Sequence, residues 1–380
     1  MEPSVTLDAA LRERPAYLET LEGLVRLESP THDKAAVDAL AQHLENLLTG
    51  RGWDVKRHPR ERVGDVLEAT RGGGPGTKTL LLTHMDTVWP MGTLQKMPAR
   101  DDGERFWGPG TVDMKAGIAT AIHAVDLAEA RGAALAGDVT LLVTTDEEVG
   151  SAHSRELIEE LARRHDRVLV LEPAREDGAL KIGRKGVGGY TATFTGRSAH
   201  AGNNPSEGAS ALRELAHFLL FVEDLADDVA GTTVNLTVAS GGFATNVIAE
   251  EATCSVDLRV LKATEAERVD DAVHSYQPRD RRVSVTIEGG LNRPPLETTP
   301  ANRALFEEAV SAGRRLSLEL TGAVVGGGSD GNFTSALGVP TLDGLGSVGG
   351  GAHARDEHIH VERTLERVAL LAALLTGPES

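Results

Sequence analysis

Sulfur ligands are nearly missing from this chain: Cys254 is its only cysteine. An internal disulfide is therefore impossible, and so is a thiolate zinc site or a CxxC redox pair. Any metal would have to sit on His, Asp and Glu. Positive charge is also scarce, with 39 basic against 57 acidic residues and a net charge of −18. That balance argues against nucleic acid or an anionic membrane surface as a partner. It does not argue against an anionic substrate, since bound cations and a few arginines invert the field locally. No stretch reaches the roughly 20 apolar residues needed to span a bilayer. Met1 to Arg14 has no apolar core of a secretory signal, so a cytoplasmic location is the expectation. Repeats and low-complexity tracts are absent as well.

What is present is a 380-residue chain, 40% hydrophobic and 25% charged, long enough for two domains with cores of their own. Apolar residues at Val37, Leu40, Leu44 and Leu47 predict a helix over Ala35 to Leu48, closed by Gly50. Thr79 to Thr83, Val139 to Thr145 and Val168 to Leu171 read as buried strands of a parallel sheet. Helices are expected over Ala116 to Arg131 and over Ser151 to Arg164, the latter with Ser151 as its N-cap. After Gly186 the pattern changes to β-α-β-β-α-β: a strand Val187 to Thr195, a helix Gly208 to Val222, strands Thr232 to Ala239 and Ala252 to Val260, a helix Thr264 to Tyr276, and a strand Arg282 to Ile287. That order is the ferredoxin-like plan. Gly289 to Pro300 reads as a return linker, after which the βα rhythm resumes to a closing helix near Thr364 to Leu375. The expected fold is α/β: a mostly parallel sheet with helices on both faces (1–185 and 293–380), interrupted by an inserted α+β domain (186–292).

Chemistry-bearing residues gather where those strands end. The first strand runs into His84-Met85-Asp86, and side chains two apart on an extended chain point the same way. A metal-bound imidazole usually gives its other N–H to a carboxylate, so the Asp86 side chain is expected to orient His84. Asp113 sits in the Gly-rich GPGTVDMK loop (108–115), where taken alone it would pass for a helix N-cap. The second strand ends in Asp146-Glu147-Glu148, three carboxylates that repel unless cations gather them. The third ends in Glu172-Pro173. Aligned strand ends would bring His84, Asp113, Glu147, Glu148 and Glu172 to one rim, where ligands bind in open α/β sheets. Imidazole with carboxylate and no sulfur suits zinc, cobalt or manganese, and so many acids favour two ions over one.

HMDTV, GPGTVDMKAG, TDEEVGS and LEPA, in this order, resemble the signatures of the di-zinc family of glutamate carboxypeptidase, acetylornithine deacetylase and succinyl-diaminopimelate desuccinylase. GRSAHAGNNPSEGASA resembles that family's dimerisation (lid) domain, and GGGSDGNF and GAHARDEHI resemble its closing motifs. The resemblance implies two Zn2+ per subunit, with Co2+ or Mn2+ able to substitute, and a homodimer formed through the inserted domain. It implies that Asp113 bridges both ions, that His84 and Glu172 complete one, and that Glu148 and His353 complete the other. His353 is preferred over His358 and His360 because it has the family's His-x-x-x-Glu spacing to Glu357. Glu147 is implied as general base and His200 as a catalytic contact to the scissile carbonyl. Arg259, Asn246 and Gly328 are implied in substrate binding, with Arg259 anchoring a carboxylate. A cis peptide between Asp113 and Met114 is implied too. The activity implied is cleavage of an amide or peptide bond beside a free carboxylate, closest to the glutamate-releasing branch. An N-acyl-amino-acid deacylase of the acetylornithine deacetylase kind and a dipeptidase are the alternatives within the family.

A rival of another class is a serine hydrolase. Gly327-Gly328-Ser329-Asp330-Gly331 fits the GxSxG pattern, with Asp343 and His353 following in the order a triad needs. That reading leaves the upstream acidic clusters unexplained. Gly326-x-Gly328-x-x-Gly331 also fits a dinucleotide fingerprint, but without the acid expected about 20 residues on.

Overall fold

A computed structural model describes residues 6–376, so the first five residues of the Met1 to Arg14 stretch lie outside it. The chain divides into two compact units. The first holds 1–183, 298–324 and 329–380; the second holds 184–297 and 325–328.

A six-stranded sheet organises the first unit, in the order Asp54–His58, Val66–Arg71, Val139–Thr144, Thr79–His84, Arg167–Val170, Thr341–Leu342. The last four are mutually parallel, and the first two form an antiparallel hairpin at one edge. Alternation along the strands feeds two separate cores. Leu81, Leu141, Val143 and Leu169 pack with the helices Arg14–Val25, Lys34–Gly50, Ala116–Ala130 and Val361–Thr376 on one face. Leu80, Leu82, Leu142, Val168 and Val170 pack with Leu157, Ile158 and Leu161 of the helix Arg155–Arg163, and with Phe333, on the other. Both faces are thus covered, which is why these strands read as unbroken apolar runs. Burying each such leucine or valine is worth about 1.5–3 kcal/mol. The helix Ala116–Ala130 is buried on nearly every side, as its almost entirely apolar sequence requires.

The second unit is a four-stranded antiparallel sheet in the order Thr233–Gly241, Glu251–Val260, Gly186–Thr195, Ser284–Arg293. Helices Ala211–Glu223 and Ala263–His274 back it around Tyr190, Phe194, Phe218 and Val269. With its strands taken in chain order, the sheet order is 2-3-1-4, the ferredoxin-like plan.

Several local expectations need correction. The last strand does not stop at Ile287 but runs to Arg293 through Gly289 and Gly290, which pair with Tyr190 and Gly189. Gly289 has φ +110, a value a side chain would resist, and its bare Cα lets the two strands close together. Ser151 is not an N-cap: it sits at φ 57 and donates its hydroxyl to Asp330, while the helix begins at Arg155. Val325–Gly328, expected in the catalytic domain, belongs with the second unit. Lys185 N–H donates to Val325 O at 2.9 Å, and Arg184 Nη1 donates to Gly327 O and Gly328 O at 3.3 and 3.0 Å.

Candidate metal centre

Five of the residues singled out by sequence meet in the first unit. His84 is the last residue of its strand, and Glu148 and Glu172 follow the ends of the two strands flanking it. Asp113 lies in the distorted turn Thr111–Lys115 at the head of the buried helix, and the Asp113–Met114 peptide is cis. Asp113 caps nothing: the residue preceding that helix is Lys115, which makes no side-chain cap. His353 is in the left-handed region at φ 60, in the loop between the strands Gly349–Gly350 and His358–His360.

Asp113 Oδ1 lies 3.2 Å from His84 Nε2, and Glu172 Oε1 lies 3.5 Å from the same nitrogen. Asp113 Oδ2 lies 3.3 Å from His353 Nε2, which is 3.2 Å from Glu148 Oε2. Two donor groups result, His84–Asp113–Glu172 and Asp113–Glu148–His353, sharing Asp113 through opposite oxygens. Zinc bonds to nitrogen and oxygen of about 2.0–2.2 Å arranged as a tetrahedron put neighbouring donors about 3.4 Å apart. The observed spacings are of that size. Glu148 Oε1 is buried and has no hydrogen-bond partner among the described residues. Spacing, donor chemistry and the orphaned oxygen all fit a pair of divalent ions.

The field of the site is strongly anionic. Burial disfavours charge on His84, yet Asp113, Asp86 and Glu172 outweigh it and hold the imidazole well above its usual range. Hydrogen bonds donated by His353 to Asp113 and then to Glu148 push its pKa up to about 10. Burial works against ionisation of Asp113, but the two imidazoles overcome it and keep its carboxyl well down. Glu148 moves upward, because burial and the Asp113 charge outweigh its bond to His353.

A second layer fixes these groups. His84 Nδ1 lies 3.0 Å from the backbone carbonyl of Asp86 and 3.4 Å from Asp86 Oδ1, so the carbonyl is its nearer acceptor. The fully buried Asp86 carboxylate accepts from Thr31 Oγ1 at 2.8 Å and from the N–H groups of Glu147 and Glu148 at 3.3 Å each. It therefore pins the acidic turn as well as flanking His84. The Asp146-Glu147-Glu148 run is split by facing. Asp146 turns inward to the Ser154 hydroxyl and the His153 N–H, so no cation gathers it. Glu148 joins the cluster, and half-buried Glu147 stands beside it in the same turn, in neither donor group.

Glu357 carries a role that sequence did not reveal beyond its spacing from His353. Its buried carboxylate accepts from Gly110, Val112 and Asp113 N–H at 2.9, 3.0 and 3.2 Å and from Trp89 Nε1 at 2.7 Å. Burial pushes its pKa up to about 7 against those bonds. His358 and His360 lie in their own strand and in neither donor group, with the His358 ring tilted against Trp107 at a centroid distance of 4.6 Å.

In the second unit, exposed His200 and Asn246 are neighbours: Ala201 N–H donates to Asn246 O at 2.9 Å, and His200 bridges Val247. His200 Nδ1 accepts from Gly202 and Asn203 N–H at 3.1 and 3.0 Å, so in the neutral ring Nε2 carries the proton. Arg259 is not with them. It pairs with Val187, whereas Glu251 at the other end of the same strand pairs with Thr195, about 25 Å away at about 3.3 Å per residue. Its guanidinium is already engaged by Asp257, through Nε at 3.0 Å and Nη2 at 2.9 Å. Arg293 pairs with the same Val187 from the other neighbouring strand and is buried. Arg293 falls within Gly289 to Pro300, read from sequence as a return linker, so nothing in the sequence marked it. Gly328 is bare for a packing reason: a Cβ there would meet Val187 Cγ2 at 2.8 Å and Arg293 Cδ at 3.0 Å.

The serine-hydrolase reading fails. Ser329 is fully buried, donates to Asp343 Oδ2 at 2.7 Å, and has no histidine among its hydrogen-bond partners in the described residues. Its would-be triad member His353 belongs to the carboxylate cluster.

The fold and the shared-carboxylate cluster define a metal-dependent hydrolase of amide bonds. The chain belongs to peptidase family M20/M25/M40, whose model matches residues 80–377. It is 33% identical to carboxypeptidase G2 of Pseudomonas sp. (strain RS-16), over 98% of this chain and 91% of that one. It is 29% identical to succinyl-diaminopimelate desuccinylase of Leptothrix cholodnii, over 90% of this chain and 94% of that one. Among solved structures, the M20 metallo-carboxypeptidase Sso-CP2 of Sulfolobus solfataricus shares the fold at a TM-score of 0.75 and 16% identity, covering 95% of this chain and 98% of that one. Aminopeptidase PepT of Bacillus cereus does so at a TM-score of 0.79 and 20% identity, covering 96% and 98%. No described helix is long and apolar enough to cross a membrane.

Proposed function

We propose that this enzyme is a two-zinc carboxypeptidase that cuts an amide bond beside a free carboxylate and releases a C-terminal glutamate. The observation that carries the reading is Asp113, whose two oxygens each face a separate imidazole–carboxylate pair. His84 and Glu172 with Asp113 would hold one ion; Glu148 and His353 with Asp113 would hold the other. Zn2+ suits the donor set, and Co2+ or Mn2+ would substitute. The bound ions would supply Lewis acidity, polarising the scissile carbonyl and lowering the pKa of the attacking water.

The chain's own groups do the rest. Glu147 takes the proton from the attacking water and returns it to the leaving amine, held in place by the Asp86 bond to its N–H. In the proposed homodimer the partner subunit's His200 donates its Nε2–H to the oxygen that gains negative charge, since within one chain His200 and Arg259 stand at opposite ends of the sheet. Asn246 offers a polar contact to the substrate. Arg259 binds the substrate carboxylate, with Arg293 as the guanidinium beside it on the sheet; a carboxylate at Arg259 must compete with Asp257. The 33% identity to a carboxypeptidase over nearly the whole chain supports this substrate class. Homodimer formation through the inserted unit is supported by its open edge strand Thr233–Gly241, with Val238 62% exposed, and by Leu220, 57% exposed on the adjoining helix.

The test is a hydrolysis screen of C-terminal glutamate peptides, N-acyl amino acids and dipeptides, using chelator-stripped enzyme with and without added zinc or cobalt. Metal-dependent release of glutamate is the expected result. Preference for N-acyl amino acids would move the reading to a deacylase, and for dipeptides to a dipeptidase. Activity undiminished by the chelator would overturn the metal reading itself.

A further inference from the structure

Glu357 is almost fully buried, at 1% exposure, and is a member of neither donor group, although it accepts from the backbone N–H of Asp113. Yet it joins the two loops on which Asp113 and His353 stand. Its side chain collects three amides of one loop, from Gly110, Val112 and Asp113, together with the Trp89 indole. Its backbone carbonyl accepts from Gly108 N–H at 3.3 Å, and its own N–H donates to Ala354 O at 3.1 Å, closing the His353 loop. No neutral side chain reproduces this. Four N–H donors converge on two oxygens, and only an acceptor-only group satisfies all four.

We propose that Glu357 is a positioning residue that locks the Asp113 loop to the His353 loop. It thereby sets the affinity of the Asp113–Glu148–His353 half of the centre. The inference rests on the two-metal reading above. His84 and Glu172 hang on strand ends that Glu357 does not touch, so its loss falls unevenly on the two halves. Carboxylates one step removed from a metal typically contribute 10–100-fold to its affinity.

The experiment is a competition titration of the apo full-length protein with zinc against a chromophoric chelator, comparing wild type with Glu357→Gln. In that variant the new amide nitrogen necessarily faces N–H donors that the carboxylate oxygen had accepted from. The expected result is one zinc equivalent held as in wild type and the second weakened about 10–100-fold. The cobalt-loaded variant should show an altered visible spectrum for that second equivalent alone. Trp89→Phe removes one donor, so the double variant Glu357→Gln/Trp89→Phe should recover part of the loss, which general unfolding would not. Two equivalents bound by Glu357→Gln with wild-type affinity and spectrum overturn the proposal. Should Glu357→Gln not fold, Trp89→Phe alone is read in the same titration: selective weakening of one equivalent supports the proposal, and unchanged binding of both overturns it. A wild type that binds no zinc fails the two-metal reading instead, a result distinct from either.

Discussion

The two units present their functional side chains in opposite ways. In the first, His84 and Asp86 are buried, and even the turn bearing Glu147 and Glu148 is tied down by Asp86. In the second, His200 and Asn246 ride exposed loops, and among the described residues a pair of backbone amides orients the imidazole. A cluster of like charges must be assembled before any ligand arrives, and burial with hydrogen bonds is what holds it. A hydrogen-bond donor needed only during reaction has no such cost and can sit in water. On the proposed reading, the contrast separates a prebuilt centre from contacts that a substrate completes.

The largest effect expected from breaking this contrast is at Glu147. Glu147→Gln should lower kcat about 1,000-fold while zinc content, read by elemental analysis, stays at the wild-type value. His200→Ala comes next, with a loss of about 100-fold in kcat, equally without loss of metal, because its loop builds no part of the cluster. Gly328→Ala sharpens the contrast from the structural side. The new methyl must push Val187 or the Arg293 stem, costing about 1–3 kcal/mol in urea unfolding and leaving metal content unchanged. The smallest effect is in the core of the first unit. His123 is buried against Tyr17 with Nε2 3.0 Å from Thr20 Oγ1, and burial, aided by the Arg51 charge, lowers its pKa to about 4. Unfolded, it would titrate near 6.5. Between those values the unfolded chain takes up a proton that the folded chain refuses, so stability falls as pH drops from about 6.5 to about 4. His123→Gln should remove on the order of 2 kcal/mol of that acid-induced loss, measured as the difference between urea midpoints at pH 7 and pH 4.5.

Much of the first unit was legible because its strands are buried on both faces and end in chemistry. Unbroken apolar runs located Thr79–His84, Val139–Thr144 and Arg167–Val170, and the residues at or just past their ends supplied His84, Glu148 and Glu172. Facing was not legible: nothing in Asp-Glu-Glu says that Asp146 turns inward to Ser154 while Glu148 turns to the cluster. Glu357 could not be read either, since its partners are backbone amides some 245 residues away in the chain. In the second unit the strand order was legible from alternation. The extension through Gly289 to Arg293 was hidden, because two glycines in a row imitate a linker. Asp257 beside Arg259 was visible as sequence, but only strand geometry shows that residues two apart share a face and pair.

The account stands or falls on Asp113 serving two cations at once. Zinc per chain, measured by elemental analysis after stripping, reloading and gel filtration, tests this most directly. Two equivalents are predicted for the wild type and one for His353→Ala. A wild type that saturates at one equivalent or none contradicts it.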